Sequence, residues 1–194
     1  MNHTALYSFV FRGLLIEEAL DKAGRSHPAD FSEIWELDTA RRLGIPLIDE
    51  IFVAKSRKMA VVYTAISAFE NSVRSFIAKK LLEEKGENWW ELCVKKDVRD
   101  RAEKRKQAER DLRWLTSRGD SMIYYTEFGD LISIMANPKN WEFFEAHIGN
   151  TDWAKQIIAT LEKSRHVIMH GGELALTDIE RVGIYIRDWI QQVG

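Results

Sequence analysis

Arg165 and His170 are the two side chains in this sequence whose types and placing could perform chemistry together. They lie in the segment Leu161-Glu-Lys-Ser-Arg165-His166-Val-Ile-Met-His170-Gly171-Gly172. An imidazole takes up and releases protons near neutrality. A guanidinium is planar and permanently charged, with a fork of donors that suits phosphate oxygens. The pair could therefore move a proton while holding an oxyanion. The spacing alone carries little weight, because a chain with 15 Arg and five His produces such a match by chance. The plain alternative is an exposed Arg and a helix-capping His, since cations suit helix C-termini. Context adds more. The segment ends an apolar helix, and the Gly171-Gly172 pair is expected to stop that helix and free His170 from helical register. On an ideal helix, five residues turn about 500°, which leaves the two side chains roughly 140° apart. A turning helix end or a partner subunit would have to bring them together.

His166 and His170 are also spaced i,i+4, which can place two metal ligands on one helix face. No clear third ligand accompanies them and Glu173 is only a candidate, so no metal site is expected. From Lys95 to Arg118 there are ten Lys or Arg and five Asp or Glu. Such a stretch could cradle a polyanion, with Arg110 and Arg113 as the RNA-contact candidates. The interleaved acids favour a solvated helix with i,i+4 pairs. Trp89, Trp90, Trp114, Trp141 and Trp153 could stack on bases, although most are expected in the core or at a dimer contact. Cys93, the only cysteine, has no nucleophile context and excludes an internal disulfide.

The elements that must position these residues all read as helices. Tyr7 to Ala23 and Asp30 to Leu43 are amphipathic, the first closed by Gly24 and the second by Gly44 and Pro46. Met59 to Leu82 carries apolar residues at helical spacing and is the expected centre of the core. Charged Asp97 to Ser117 follows, then Thr126 to Met135, cut by Asn137-Pro138. Next come a short aromatic helix, Trp141 to His147, and a helix marked by Trp153, Ile157, Leu161 and Ile168. Thr177-Asp-Ile-Glu180 has the form of a capping box, so a last helix is expected from there to Gln192. Three Pro in 194 residues suit long helices. The expected organisation is a helical extension over residues 1–50 and a helical domain over 51–194.

Net charge is −2 and the apolar share 45%, ordinary for a soluble globular chain and unlike a protein that coats nucleic acid through bulk charge. Apolar runs are short and interrupted, so no membrane span is expected. Arg12, Glu17 and Glu18 fall too early for a signal peptide, and a cytoplasmic location is the default.

Tyr63-Thr-Ala-Ile-Ser-Ala-Phe69-Glu70-Asn71-Ser-Val-Arg74-Ser-Phe-Ile resembles the early core helix of HEPN domains, in a branch related to transcript-surveillance endonucleases. Gly86-Glu-Asn-Trp89-Trp90, Phe128-Gly-Asp130-Leu-Ile-Ser-Ile and Asn140-Trp141-Glu-Phe-Phe144 are similar to that branch. So are the Arg165 to His170 motif and Leu176-Thr-Asp-Ile-Glu-Arg181. The likeness covers about residues 59–190. It implies an all-α up-and-down bundle, a homodimer that brings two motif helices together, and RNA cleavage without metal or other cofactor. Arg165 and His170 match the family's catalytic Arg and His. Many relatives carry Asn or Asp directly after the Arg, where this chain has His166. Relatives regulated by nucleotidylation carry Tyr two residues after the His, where this chain has Gly172, so that regulation does not transfer.

On that resemblance, RNA supplies its own nucleophile, the 2′-hydroxyl. One His170 would take its proton and a second, from the partner, would protonate the leaving 5′ oxygen. Arg165 would hold the non-bridging oxygens, and the products would be a 2′,3′-cyclic phosphate and a 5′-hydroxyl. Glu70 and Arg74 form an i,i+4 pair that either orients Arg165 or His170, with Asn71 helping, or simply ties the bundle together. His166 is the remaining supporting residue. The implied biological setting is a toxin, defence or RNA-surveillance effector, with an antitoxin or regulatory protein as a further partner. The alternative is a non-catalytic module that binds RNA or nucleotides, or serves assembly.

Overall fold

Helix after helix forms because breakers are few and each one sits at a boundary. The computed structural model describes residues 28–193 and has only helices and connecting turns there. The helix expected over Tyr7 to Ala23 lies outside the described residues. The all-α class expected from the sequence holds among the described residues. No helix among the described residues is long and apolar enough to cross a membrane.

The chain divides into two units at Ala54 and Lys55. In the first, α1 (Pro28–Arg42) stops at Gly44, whose φ of +67° a side chain would disfavour, and a 3-10 turn follows at Ile45–Leu47. The long α2 (Glu50–Lys85) then starts, where the Asp49 carboxylate accepts from the Ile51 amide at 2.8 Å. Helix was expected only from Met59 to Leu82. The real helix is longer at both ends, since nothing between Pro46 and Gly86 breaks it.

The second unit is organised around α2. Met59, Val62, Ile66, Phe69, Val73, Ile77 and Leu81 are buried along one stripe. After a 3-10 turn at Gly86–Asn88 come the short α3 (Trp89–Cys93) and the charged α4 (Lys96–Asp111). α4 ends six residues before the expected Ser117. There the chain folds back, and the Glu109 carboxylate accepts from both the backbone amide and Nε of Arg118. A 3-10 turn at Met122–Tyr125 packs on α4, and α5 (Phe128–Met135) follows. Thr126 lies outside α5, because Glu127 and Asp130 form the capping box at its start.

Asn137-Pro138 was expected to act as a break before a helix at Trp141. Instead it opens α6 (Pro138–Ile148): Asn137 caps and Pro138 takes the first turn, where its missing N–H costs nothing. α7 (Thr151–Met169) is capped by Asn150, and α8 (Leu176–Val193) closes the unit. The expected capping box at Thr177 does not form. Thr177 lies inside α8, whose first amides bond to the Ala175 carbonyl. Phe69 packs edge-on against Phe128 of α5 and Trp189 of α8, and Trp153 of α7 stacks on Trp189 with centroids 5.7 Å apart. α2, α5, α7 and α8 therefore share one aromatic centre.

Candidate functional site

Glu70 sits on the buried stripe of α2 with only 4% of its surface exposed. A carboxylate so deep must be paired, and two guanidinia meet it. Nη2 of Arg74 donates to Oε1 at 2.5 Å, and Nη1 of Arg165 donates to Oε2 at 2.5 Å. Glu70 thus joins α2 to α7 across 95 residues of sequence. The Glu70 carboxylate serves Arg74 with one oxygen and Arg165 with the other.

The surroundings fix the arginines further. Arg74 donates to the Asn71 side-chain oxygen at 3.1 Å and to the Thr126 carbonyl at 3.2 Å, so Asn71 touches Arg74 rather than Arg165. Arg165 lies over the Phe128 ring, 5.9 Å from its centroid. One turn earlier on α7, Glu162 accepts from the Gly129 amide at 3.1 Å, in the first turn of α5. Phe128, Thr126 and Glu162 were not singled out in the sequence. The contacts of Phe128 and Thr126 to α2 and α7, and of Glu162 to α5, join distant segments and leave no local spacing to read.

α7 ends at Met169, just before His170. His170 is the C-cap, with φ −97° and ψ 18° outside the helical region, although its amide is still bonded to the His166 carbonyl at 3.1 Å. The chain then turns at Gly171, with φ +77°. The Gly171 amide bonds to the Ile168 carbonyl and the Gly172 amide to the Val167 carbonyl, at 3.0 and 2.8 Å. This is a Schellman closure, which needs the first glycine in the left-handed region. The glycine pair therefore terminates the helix, with His170 as the capping residue. Arg165 turns inward to Glu70, while His166 and His170 are exposed, their ring centroids 6.4 Å apart. The single protomer groups Glu70, Asn71, Arg74 and Arg165 as one cluster, and His166 and His170 as another.

Arg110 and Arg113 are exposed, at the end of α4 and in the turn after it. Other α4 arginines are tied down. Arg101 donates to Asp130 at 2.6 Å and to Asp97 at 3.1 Å. Arg105 reaches the Tyr125 carbonyl at 2.9 Å and Glu127 at 3.0 Å. The bond to Asp130, ahead of that to Asp97, holds the Arg101 guanidinium more firmly protonated. The hydrogen bond from Arg101 holds the Asp97 carboxyl below the usual range. Of the five tryptophans considered for stacking, Trp89 and Trp90 are buried. Trp141 and Trp153 pack on the core, and Trp114 is 82% exposed. Burial pushes the Cys93 thiol up, against the lowering effect of Lys85, so it is a poor nucleophile. No cluster of three or more metal-ligating side chains occurs among the described residues.

The profile of the Swt1-like HEPN family matches residues 64–194, which include every residue of both clusters. No curated protein and no solved structure matches the chain.

Proposed function

The chain belongs to the Swt1-like HEPN family, a nuclease or RNA-binding class, and from that premise we propose that it is a metal-independent endoribonuclease whose site is completed by a second copy of the chain. The observation that carries this reading is Arg165 of α7, fixed by the buried Glu70 of α2, five residues before the exposed His170 that caps α7. A guanidinium held in one place pre-organises an oxyanion site, which is the costly part of phosphoryl chemistry.

RNA brings the 2′-hydroxyl as nucleophile. His170 of one protomer accepts its proton as the oxygen attacks phosphorus. His170 of the partner subunit donates a proton to the departing 5′ oxygen. Arg165 neutralises the non-bridging oxygens. The products are a 2′,3′-cyclic phosphate and a 5′-hydroxyl, with no water consumed in this step. The dimer accounts for a geometric problem: ideal helical spacing would leave Arg165 and His170 roughly 140° apart around one helix axis. Exposed Val167 and Met169, beside His166 and His170, suit a helix end that packs on its symmetry mate. Such an activity fits a defence, toxin or RNA-surveillance effector held in check by a regulatory protein.

The test is cleavage of single-stranded and structured RNA in EDTA, with product ends identified chemically. His170→Ala should lower the rate at least about a hundredfold. Undiminished cleavage by that variant rejects the site.

One observation favours a second reading, binding without cutting. Arg165 already has a carboxylate partner in Glu70, which competes with phosphate for it. Tight RNA binding by the dimer with no cyclic-phosphate product across diverse RNAs would select that reading.

A further inference from the structure

A cleft of about 310 Å³ lies between the second half of α2 and the Met122–Tyr125 turn, separate from the His166/His170 cluster. That volume is at the small end for ligand pockets, which run from about 300 Å³ upward. Its chemistry is mixed in an informative way. Arg74 and Lys79 bring positive charge, Tyr124 and Trp89 bring aromatic surface, and Ser75 and Ser121 bring hydroxyls. No carboxylate lines it.

Arg74 is more than a lining residue. It is 9% exposed and gives Nη1 and Nη2 to partners within the fold, but its buried Nε has none. A buried donor without an acceptor is uncommon and calls for an explanation. Lys79 is exposed on the same wall, and Tyr124 is 41% exposed, leaving ring surface open. Two cations beside an accessible aromatic ring match the two halves of a nucleotide: phosphate on the cations, base on the ring.

We propose that this cleft binds one nucleotide of a single-stranded RNA, its phosphate on Arg74 and Lys79 and its base against Tyr124. The inference rests on RNA being the ligand of the proposed function and extends that reading by naming where a neighbouring nucleotide sits. Arg74 links the two places. The carboxylate that it holds through Oε1 holds Arg165 through Oε2. A strand seated in the cleft would therefore be anchored one residue from the group that fixes Arg165.

The experiment measures binding of a short fluorescein-labelled single-stranded oligoribonucleotide by anisotropy, using the full chain in a His170→Ala background so that nothing is cut. Lys79→Glu and Tyr124→Ala should each weaken binding about tenfold while the circular dichroism stays helical. Lys79→Glu should also flatten the dependence of log affinity on log salt by about 0.7, one phosphate contact on a single strand. A 4-thiouridine oligonucleotide should crosslink at Tyr124 or Trp89. Unchanged affinity in both variants, or crosslinks confined to other elements, overturns the proposal. So does displacement of the strand by free AMP at the oligonucleotide's own concentration, which would make the cleft a mononucleotide site. Binding that depends on Lys79 and Tyr124 in a protein that never cleaves would leave this inference standing and remove the ribonuclease reading. Cleavage and binding indifferent to both substitutions would do the reverse.

Discussion

Glu70 holds two guanidinia with one carboxylate, so the formal charges of the three side chains sum to +1. Replacing it leaves Arg74 buried against a neutral group. Removing one partner of a buried ion pair costs about 3–5 kcal/mol. Glu70→Gln should fall near the lower figure, about 3 kcal/mol, because Arg165 remains partly hydrated. Urea unfolding should show a lower midpoint at unchanged slope. If Glu70 also positions Arg165 for chemistry, cleavage should drop in conditions where the variant is still fully folded. Retention of full activity there would leave Glu70 a structural residue. A second residue-scale expectation concerns Cys93, 3% exposed and with its thiol raised by burial. Iodoacetamide at neutral pH should label it only after denaturant is added. Rapid labelling of the folded chain would contradict the packing of α3.

At the scale of elements, the end of α7 matters most. Gly171 takes φ +77° with open space around it, so an added methyl meets strain rather than a clash. Gly171→Ala should cost about 1 kcal/mol from the left-handed backbone. Gly172 differs: a Cβ there would come 2.7 Å from Val167 Cγ1 and 2.9 Å from the Val167 carbonyl oxygen. Both changes disturb the closure next to His170, so cleavage should fall in Gly172→Ala more than stability alone explains. Thermal unfolding and single-turnover rates, measured on the same preparations, separate the two effects. Equal proportional losses would mean that the helix end has no part in placing His170. The start of α4 supplies a pH expectation. The Asp97 carboxyl is depressed mainly by the hydrogen bond from Arg101, so whatever it contributes is present above the ordinary carboxylate range and lost as pH falls through the lowered value. Asp97 is exposed, and the effect should appear as local loosening of α4 in an NMR acid titration. An Asp97 that titrates like a free carboxyl would contradict the pair.

For the molecule as a whole, the proposed site depends on two protomers. If each site uses both His170 rings, any dimer holding one altered copy is inactive. Mixing wild-type chain with excess His170→Ala, after exchange of subunits, should therefore lower activity roughly as the square of the wild-type fraction. A linear fall would place a whole site in each protomer. Sedimentation at the assay concentration must show a dimer for the experiment to apply, and an active monomer would sink the composite site outright.

Most helices could be read from residue order, because their determinants are local. The stripe from Met59 to Leu81 repeats at helical spacing, and Gly44, Gly86 and Gly171-Gly172 stop helices wherever the left-handed region is required. Local rules also misled in places. Asn137-Pro138 looks like a break but caps a helix, since a proline at the first helical position loses no hydrogen bond. Thr177 has the spacing of a cap but lies within α8. The Arg165 and His170 types were visible along with Glu70, and so was the likeness that suggested RNA. What residue order could not supply was the direction of each side chain. Only packing in three dimensions put Glu70 between Arg74 and Arg165, slid Phe128 beneath the guanidinium, and left His170 facing outward. Those contacts join segments far apart in the chain, and their energies depend on burial, which no window of neighbouring residues contains.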